Sequence, residues 1–215
     1  MEHRDPVKVK GWWMPQGEQH LSEHPWEETR GYQWRQRQQV IESSEPGLAI
    51  DVGAHVGLWA RDFCACEKFT RVQCWEPMSQ HRQCLERNVL SPKLEIRTEA
   101  LADRPGEVYM QWQPHNTGNT QMSQRETEYR VTKTTLDLQT YEHGISVIKI
   151  DVEGYEHLVI EGGRRTILEH RPLIVIEQKP HQGRQRQYLA RDLLLTMGYT
   201  VRLRVGDDWI MQDAG

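Results

Sequence analysis

The stretch Leu48-Ala49-Ile50-Asp51-Val52-Gly53-Ala54-His55-Val56-Gly57 constrains the fold more than any other part of the chain. A short apolar run of this kind reads as a buried parallel strand. It ends in an acid and enters a turn carrying two glycines. Leu58-Trp59-Ala60-Arg61-Asp62-Phe63 then continues with apolar residues at helical spacing. Strand, glycine turn and helix in this order predict an open α/β sheet. Glycine permits φ > 0 and close approach of a ligand. The helix N-terminus offers unpaired N–H groups to an anion. In open α/β sheets, ligands bind at the C-terminal ends of the strands.

The next strand is predicted over Arg71-Val72-Gln73-Cys74-Trp75 and ends in Glu76. A carboxylate there can accept both hydroxyls of a ribose. A dinucleotide fingerprint needs G-x-G-x-x-G, and the matching third glycine is absent, which argues against a nucleotide-cofactor dehydrogenase. The D-x-G-x-x-x-G turn with a second-strand acid resembles the S-adenosylmethionine site of class I methyltransferases.

Further motifs follow in order. Thr134-Thr135-Leu136-Asp137 precedes Ile148-Lys149-Ile150-Asp151-Val152-Glu153-Gly154, and Arg171-Pro172 precedes a strand closed by Glu177. With the glycine turn and Glu76-Pro77, this series resembles the FkbM family of methyltransferases over roughly residues 48–199. The resemblance implies a Rossmann-like, doubly wound α/β fold. Its seven-stranded, mostly parallel sheet would end in a C-terminal antiparallel hairpin over Tyr199–Val205 and Asp208–Met211. It also implies an S-adenosyl-L-methionine cofactor and methylation of a hydroxyl on a small metabolite or sugar. On this resemblance Asp51 orients the amino-acid end of the cofactor and Gly53 and Gly57 form the turn. Glu76 takes the ribose, and Glu99 and Ala100 border the adenine. His55 stands where relatives often carry Asn; it can do the same hydrogen bonding, with a charge that varies near neutral pH.

Methyl transfer from a sulfonium is an in-line displacement, so the protein must position the reactants and help deprotonate the acceptor. Asp151 and Glu153 follow a predicted buried strand. In an extended chain alternate residues face opposite ways, so the two are not expected to share a proton. Asp151 is expected beside the methionine end or the reacting methyl, and Glu153 toward the acceptor. The structural alternatives are helix capping by Asp51 and by Glu153. The general-base candidates are His181, Glu153 and His55. Asp151, Glu177 and His181 together also offer ligands to a hard cation, but nothing in the spacing requires one and no metal is expected.

The 215 residues fit one ordinary domain. Residues 1–47 read as an extension and 48–215 as the methyltransferase domain. A net charge of −4 advertises no broad basic surface for nucleic acid. No apolar run approaches the ~20 residues that span a membrane. Met1–Pro6 has no apolar signal core, so a cytoplasmic location is the expectation. Cys64, Cys66, Cys74 and Cys84 match no zinc spacing and read as reduced thiols.

In the extension, Val7–Lys10 reads as a strand and Trp26 to about Ser43 as a helix opened near Pro25. The segment is a cap on the sheet edge, a lid over the acceptor pocket, or an arm that leaves a homodimer open. Exposure of Trp12-Trp13 would favour the latter two. The polar run Pro114–Met122 is either an acceptor loop or a solvated turn. A non-catalytic adenosylmethionine-binding interaction module remains the alternative to an enzyme.

Overall fold

The structure is a computed structural model, and it describes residues 5–23, 32–178 and 188–215. The strands are β1 (Val7–Val9), β2 (Trp12–Met14), β3 (Gly47–Val52), β4 (Phe69–Trp75), β5 (Leu94–Arg97), β6 (Ala100–Leu101), β7 (Gly106–Gln111), β8 (Gln121–Ser123), β9 (Tyr129–Thr134), β10 (Ile145–Ile150), β11 (Leu173–Glu177), β12 (Tyr199–Val205) and β13 (Asp208–Asp213). The helices are α1 (His20–Glu23), α2 (Trp34–Ser43), α3 (Leu58–Ala65), α4 (Ser79–Asn88), α5 (Glu156–Glu161), α6 (Arg164–His170) and α7 (Leu189–Thr196). The helix expected from Trp26 is described only from Trp34; Trp26 and Pro25 lie outside the described residues.

Seven strands form the central sheet in the order β12-β13-β11-β10-β3-β4-β5. The sheet is mixed. The five strands from β11 to β5 run parallel, and the β12–β13 hairpin closes it antiparallel against β11. From β3 the chain builds outward through β4 and β5. It then returns to the other side of β3 as β10. The reversal leaves a crevice between β3 and β10, where such sheets bind ligands.

Alternation along the strands feeds two cores. Ala49, Val72, Val147 and Val175 face the layer containing α2, α3 and α4. Ile50, Ile148, Ile174 and Ile176 face α5, α6 and α7. Small residues on one face and isoleucines on the other follow from the period of two along a strand.

Two features lie outside the central sheet. The strands after Glu99 do not extend the central sheet. They form a separate four-stranded sheet, β6-β9-β7-β8, with its own small core of Met78, Ala102, Met110 and Met122. The N-terminal segment does not cap the sheet edge either. Its β1–β2 hairpin lies on the helix layer. Asn88 of α4 accepts from Trp13 N at 2.8 Å, donates to Trp13 O at 2.8 Å, and donates to Val56 O at 2.9 Å. One amide thus serves both backbone groups of a strand residue that, among the described residues, has no neighbouring strand on that side. Trp12 is buried and Trp13 half-buried, under the guanidinium groups of Arg61 and Arg87 at 4.7 and 5.0 Å from the ring centres. The tryptophan pair is therefore packing, not an exposed contact site. The four cysteines are unpaired.

Candidate functional site

The C-terminal ends of β3, β4, β10 and β11 place Asp51, Glu76, Asp151 and Glu177 along one edge of the sheet. Beyond β3 the chain turns at Gly53, whose φ is +74°. A Cβ here would lie 1.9 Å from the Asp151 carbonyl oxygen. At Gly57, φ +93°, a Cβ would meet Leu85 at 2.5 Å and Val89 at 2.9 Å. Both glycines are therefore required by the protein's own packing. Gly53 also lines the cleft, whereas Gly57 lies behind it against α4.

His55 takes a left-handed conformation, φ +51°, which aims its N–H at Glu76 Oε2, 2.9 Å away. Glu76 Oε1 accepts from Met78 N at 2.9 Å and from His81 Nδ1 at 3.1 Å. Burial opposes ionisation of Glu76, which is only 4% exposed. His81 and the two backbone N–H groups outweigh it and hold the carboxyl below its ordinary value. A buried anion therefore faces the cleft, fixed by the turn it terminates.

Asp51 is fully buried and is not on the cleft wall. Its neighbour across the β3–β10 register is Lys149, with Nζ 3.2 Å from Asp51 Oδ1 and 3.5 Å from Asp151 Oδ2. Lys149 also donates to Gly53 O at 2.8 Å. Burial would discharge this lysine, but the two carboxylates override it and raise its pKa above the ordinary value. The ammonium thus ties the glycine turn to the end of β10.

Asp151 and Glu153 were expected on opposite faces, and they are not. The chain leaves β10 after Ile150, and Glu153 adopts φ +55°. The alternation of an extended strand is lost there. Carboxylate oxygens of Asp151, Glu153 and Glu177 all lie within 4.8 Å of one another. Glu156 Oε1 accepts from Val152 N at 3.2 Å and Gly154 N at 2.9 Å, donors that precede α5, so this carboxyl ties down the turn after β10 and does not cap the helix.

Burial pushes the Glu156 carboxyl from 4.5 up to about 7. The unfolded chain ionises near the ordinary value, so the native state loses stability as pH rises through that window. Glu156→Gln keeps the accepting oxygen and removes the charge. The variant should match the parent near pH 4.5 and exceed it by about 3 kcal/mol at pH 8 in urea unfolding. A difference independent of pH would refute burial as the cause.

The cleft encloses about 1090 Å³, counting space open to solvent. Its roof comes from two segments. Glu18 is buried; its Oε2 accepts from Thr117 N and Thr117 Oγ1, both at 2.6 Å, and its Oε1 from Leu21 N at 2.9 Å. Thr117 Oγ1 in turn lies 2.8 Å from His55 Nε2. One carboxylate therefore fastens the N-terminal segment to the 114–122 loop, and the loop to the glycine turn. His20, Leu21, Tyr32 and Gln33 reach the cleft, as do Asn116 to Thr120. His55 does not vary in charge near neutrality, contrary to the expectation. Burial, with His81 and Lys149 nearby, lowers its pKa well below the ordinary value and keeps the ring neutral.

Ala100 lines the cleft; Glu99 does not, and its carboxylate accepts from Thr98 N at 3.1 Å. His181 lies outside the described residues. Among the described residues no helix is long and apolar enough to cross a membrane.

The sequence profile of the Methyltransferase FkbM domain matches residues 51–204. The chain belongs to the FkbM methyltransferase family. A solved FkbM methyltransferase from Methylobacillus flagellatus is similar in fold, with a TM-score of 0.57 and 20% identity, over 78% of this chain and 43% of that one. This chain thus spans less than half of that protein. A putative O-methyltransferase from Klebsiella pneumoniae shares the fold at a TM-score of 0.52 and 12% identity, over 86% and 83% of the two chains. No curated protein matches the sequence.

Several residues of this FkbM site escaped the sequence reading. Lys149 announced itself as the one charge inside the run Val147-Ile148-Lys149-Ile150; a charge there must be paired. His81 sits three and four residues before Cys84 and Leu85, on the inner face of α4. Glu18 and Thr117 carried no local signal, because their partners lie 99 residues apart.

Proposed function

We propose that this FkbM protein is an S-adenosylmethionine-dependent methyltransferase acting on a hydroxyl of a small metabolite or sugar. The observation that carries the reading is Glu76. It is an ionised, buried carboxylate at the end of β4, with an oxygen facing the cleft beside the glycine turn. A ribose diol suits such an acceptor-only group. Its neighbours Met78 and Ala100 supply apolar wall for an adenine. When bound, the donor supplies a methyl group already activated on a sulfonium.

This chain's residues do the rest. Lys149 holds the turn against β10, so the amino-acid end of the donor meets a fixed backbone. The roof of Leu21, Tyr32 and the 114–122 loop excludes water from the reacting centre. Asp151, Glu153 and Glu177 are acceptor-only carboxylates on the far side of the cleft. Among them a carboxylate oxygen would take the proton that the acceptor hydroxyl loses on methylation. The same three oxygens fit a hard cation in chemistry and spacing; such an ion would orient the hydroxyl and lower its pKa.

Calorimetric titration tests the reading. Micromolar binding of S-adenosylmethionine and S-adenosylhomocysteine, with no binding of NAD, is the expected result. Binding of NAD instead, or of none of the three, overturns it.

A further inference from the structure

Two hydrogen bonds settle which nitrogen of the His55 ring carries its hydrogen. Glu18 is buried, and among the described residues its carboxylate accepts from three donors: Leu21 N at Oε1, and Thr117 N and Thr117 Oγ1 at Oε2. A carboxylate only accepts, so the Thr117 hydroxyl hydrogen is committed to Glu18. Toward the ring the Thr117 oxygen can then only accept, and His55 Nε2, 2.8 Å away, donates. Burial keeps this ring neutral. It therefore holds a single hydrogen, on Nε2, and Nδ1 has none.

The relay from His55 through Thr117 to Glu18 joins two parts of the chain of different origin. His55 belongs to the glycine turn, and its backbone N–H donates to Glu76. Glu18 lies just before α1, outside the residues 51–204 that match the family profile. His55 also holds φ +51°. A non-glycine residue seldom keeps such a backbone unless its surroundings over-determine it. Here Glu76 fixes the residue by its backbone and Thr117 fixes it by its ring. Were the hydrogen on Nδ1, Nε2 would turn a lone pair toward the Thr117 oxygen, whose own hydrogen is already taken. Thr117 is fully buried, so two acceptors facing each other there would cost an unmade hydrogen bond. The wrong tautomer thus separates the 114–122 loop from the turn. Glutamine at 18 does not serve, because donors approach both ends of the side chain and an amide has one oxygen.

We propose that Glu18 is a positioning residue for the cofactor turn: acting through Thr117, it fixes His55 as the Nε2–H tautomer and ties ligand binding at the turn to docking of the N-terminal segment. For the identity of the ligand this rests on the adenosyl-cofactor reading above. The His55 ring lines the cleft. With its hydrogen committed to Thr117, it has an acceptor and no donor to offer a ligand. His20, Leu21 and the 116–120 residues line the same cleft, so a bound ligand and the docked roof stabilise each other.

The test joins ¹⁵N NMR of the histidine rings to calorimetry, both on the full chain. In the ligand-free protein His55 should show a protonated Nε2 and an unprotonated Nδ1. The opposite tautomer, or exchange between the two, overturns the proposal. Thr117→Val keeps the shape and removes the hydroxyl, and Glu18→Gln leaves one end of the side chain without an acceptor. Each should release His55 to a mixture of tautomers and weaken S-adenosylhomocysteine about two- to tenfold, the range of one hydrogen bond. Because both act through one relay, the double variant should bind no more weakly than the weaker single one. Thr117→Ser keeps the hydroxyl and should retain the parent tautomer, a distinction that a packing role for Thr117 would not produce. Single variants that keep the parent tautomer, or penalties that multiply in the double variant, overturn the proposal. If neither single variant unfolds cooperatively, the ligand-free spectrum of the unaltered protein decides. Absence of any adenosylhomocysteine binding by the unaltered protein is a different failure. It removes the cofactor reading, and the tautomers of the variants still judge the role of Glu18.

Discussion

Replacing Lys149 by methionine should destabilise the protein by about 3–5 kcal/mol, the cost of removing one partner of a buried ion pair. Methionine fills much of the space of the aliphatic stem, so little of the loss comes from a cavity. The loss comes from Asp51, which is fully buried and has its counter-ion 3.2 Å away on Lys149. It also comes from the Gly53 carbonyl, which accepts from the same ammonium. Against a total stability of roughly 5–15 kcal/mol, this is a large fraction. It should lower Tm by about 6–20 °C for a chain of this size. The cause can be isolated. If the stranded charge is responsible, Asp51→Asn added to Lys149→Met should recover more than half of the loss in urea unfolding. A double variant no more stable than the single one would place the cost elsewhere, in the turn or in packing.

The same pair shows what could be read from the sequence. The strand over 48–52, its glycine turn, the second-strand acid and the strand over 147–150 were all legible, because apolar runs and glycines act locally. That Lys149 and Asp51 are neighbours follows only from the parallel register of β3 and β10, which pairs residues almost a hundred apart. Asp151 and Glu153 failed for a related reason. Period-two alternation holds inside a strand, but β10 ends at Ile150, and the left-handed φ of Glu153, three residues on, breaks the pattern and brings both carboxylates to one side. The roof was hardest to read. Glu18, Thr117 and His55 form a polar chain across three distant segments, and each alone looks like an ordinary polar residue. The separate sheet of β6 to β9 was missed because its strands alternate like those of the central sheet. Only pairing distinguishes them.

Glu76→Ala should weaken adenosylhomocysteine binding about 10- to 150-fold, the factor for about 1.5–3 kcal/mol of hydrogen bonding to a charged group. Calorimetry at fixed ionic strength checks it, and unchanged affinity would sink the ribose assignment. The substitution also strands donors at Met78 N, His55 N and His81 Nδ1, so unfolding must be measured on the same samples. Glu76→Asp separates the two effects. It keeps the charge that the three donors satisfy but draws the oxygens back by one methylene. Folding should therefore suffer less than in the alanine variant, while ligand binding still falls. The pH dependence supplies a second check with a definite sign. The Glu76 carboxyl titrates below its ordinary value in the fold, so its anion persists as the solution becomes mildly acidic. The contribution of Glu76 to binding should hold from neutrality through the ordinary carboxylate range and disappear only as pH falls through the depressed folded value. A binding curve that instead collapsed between pH 6 and 7 would mean that an imidazole, not this carboxylate, sets the affinity.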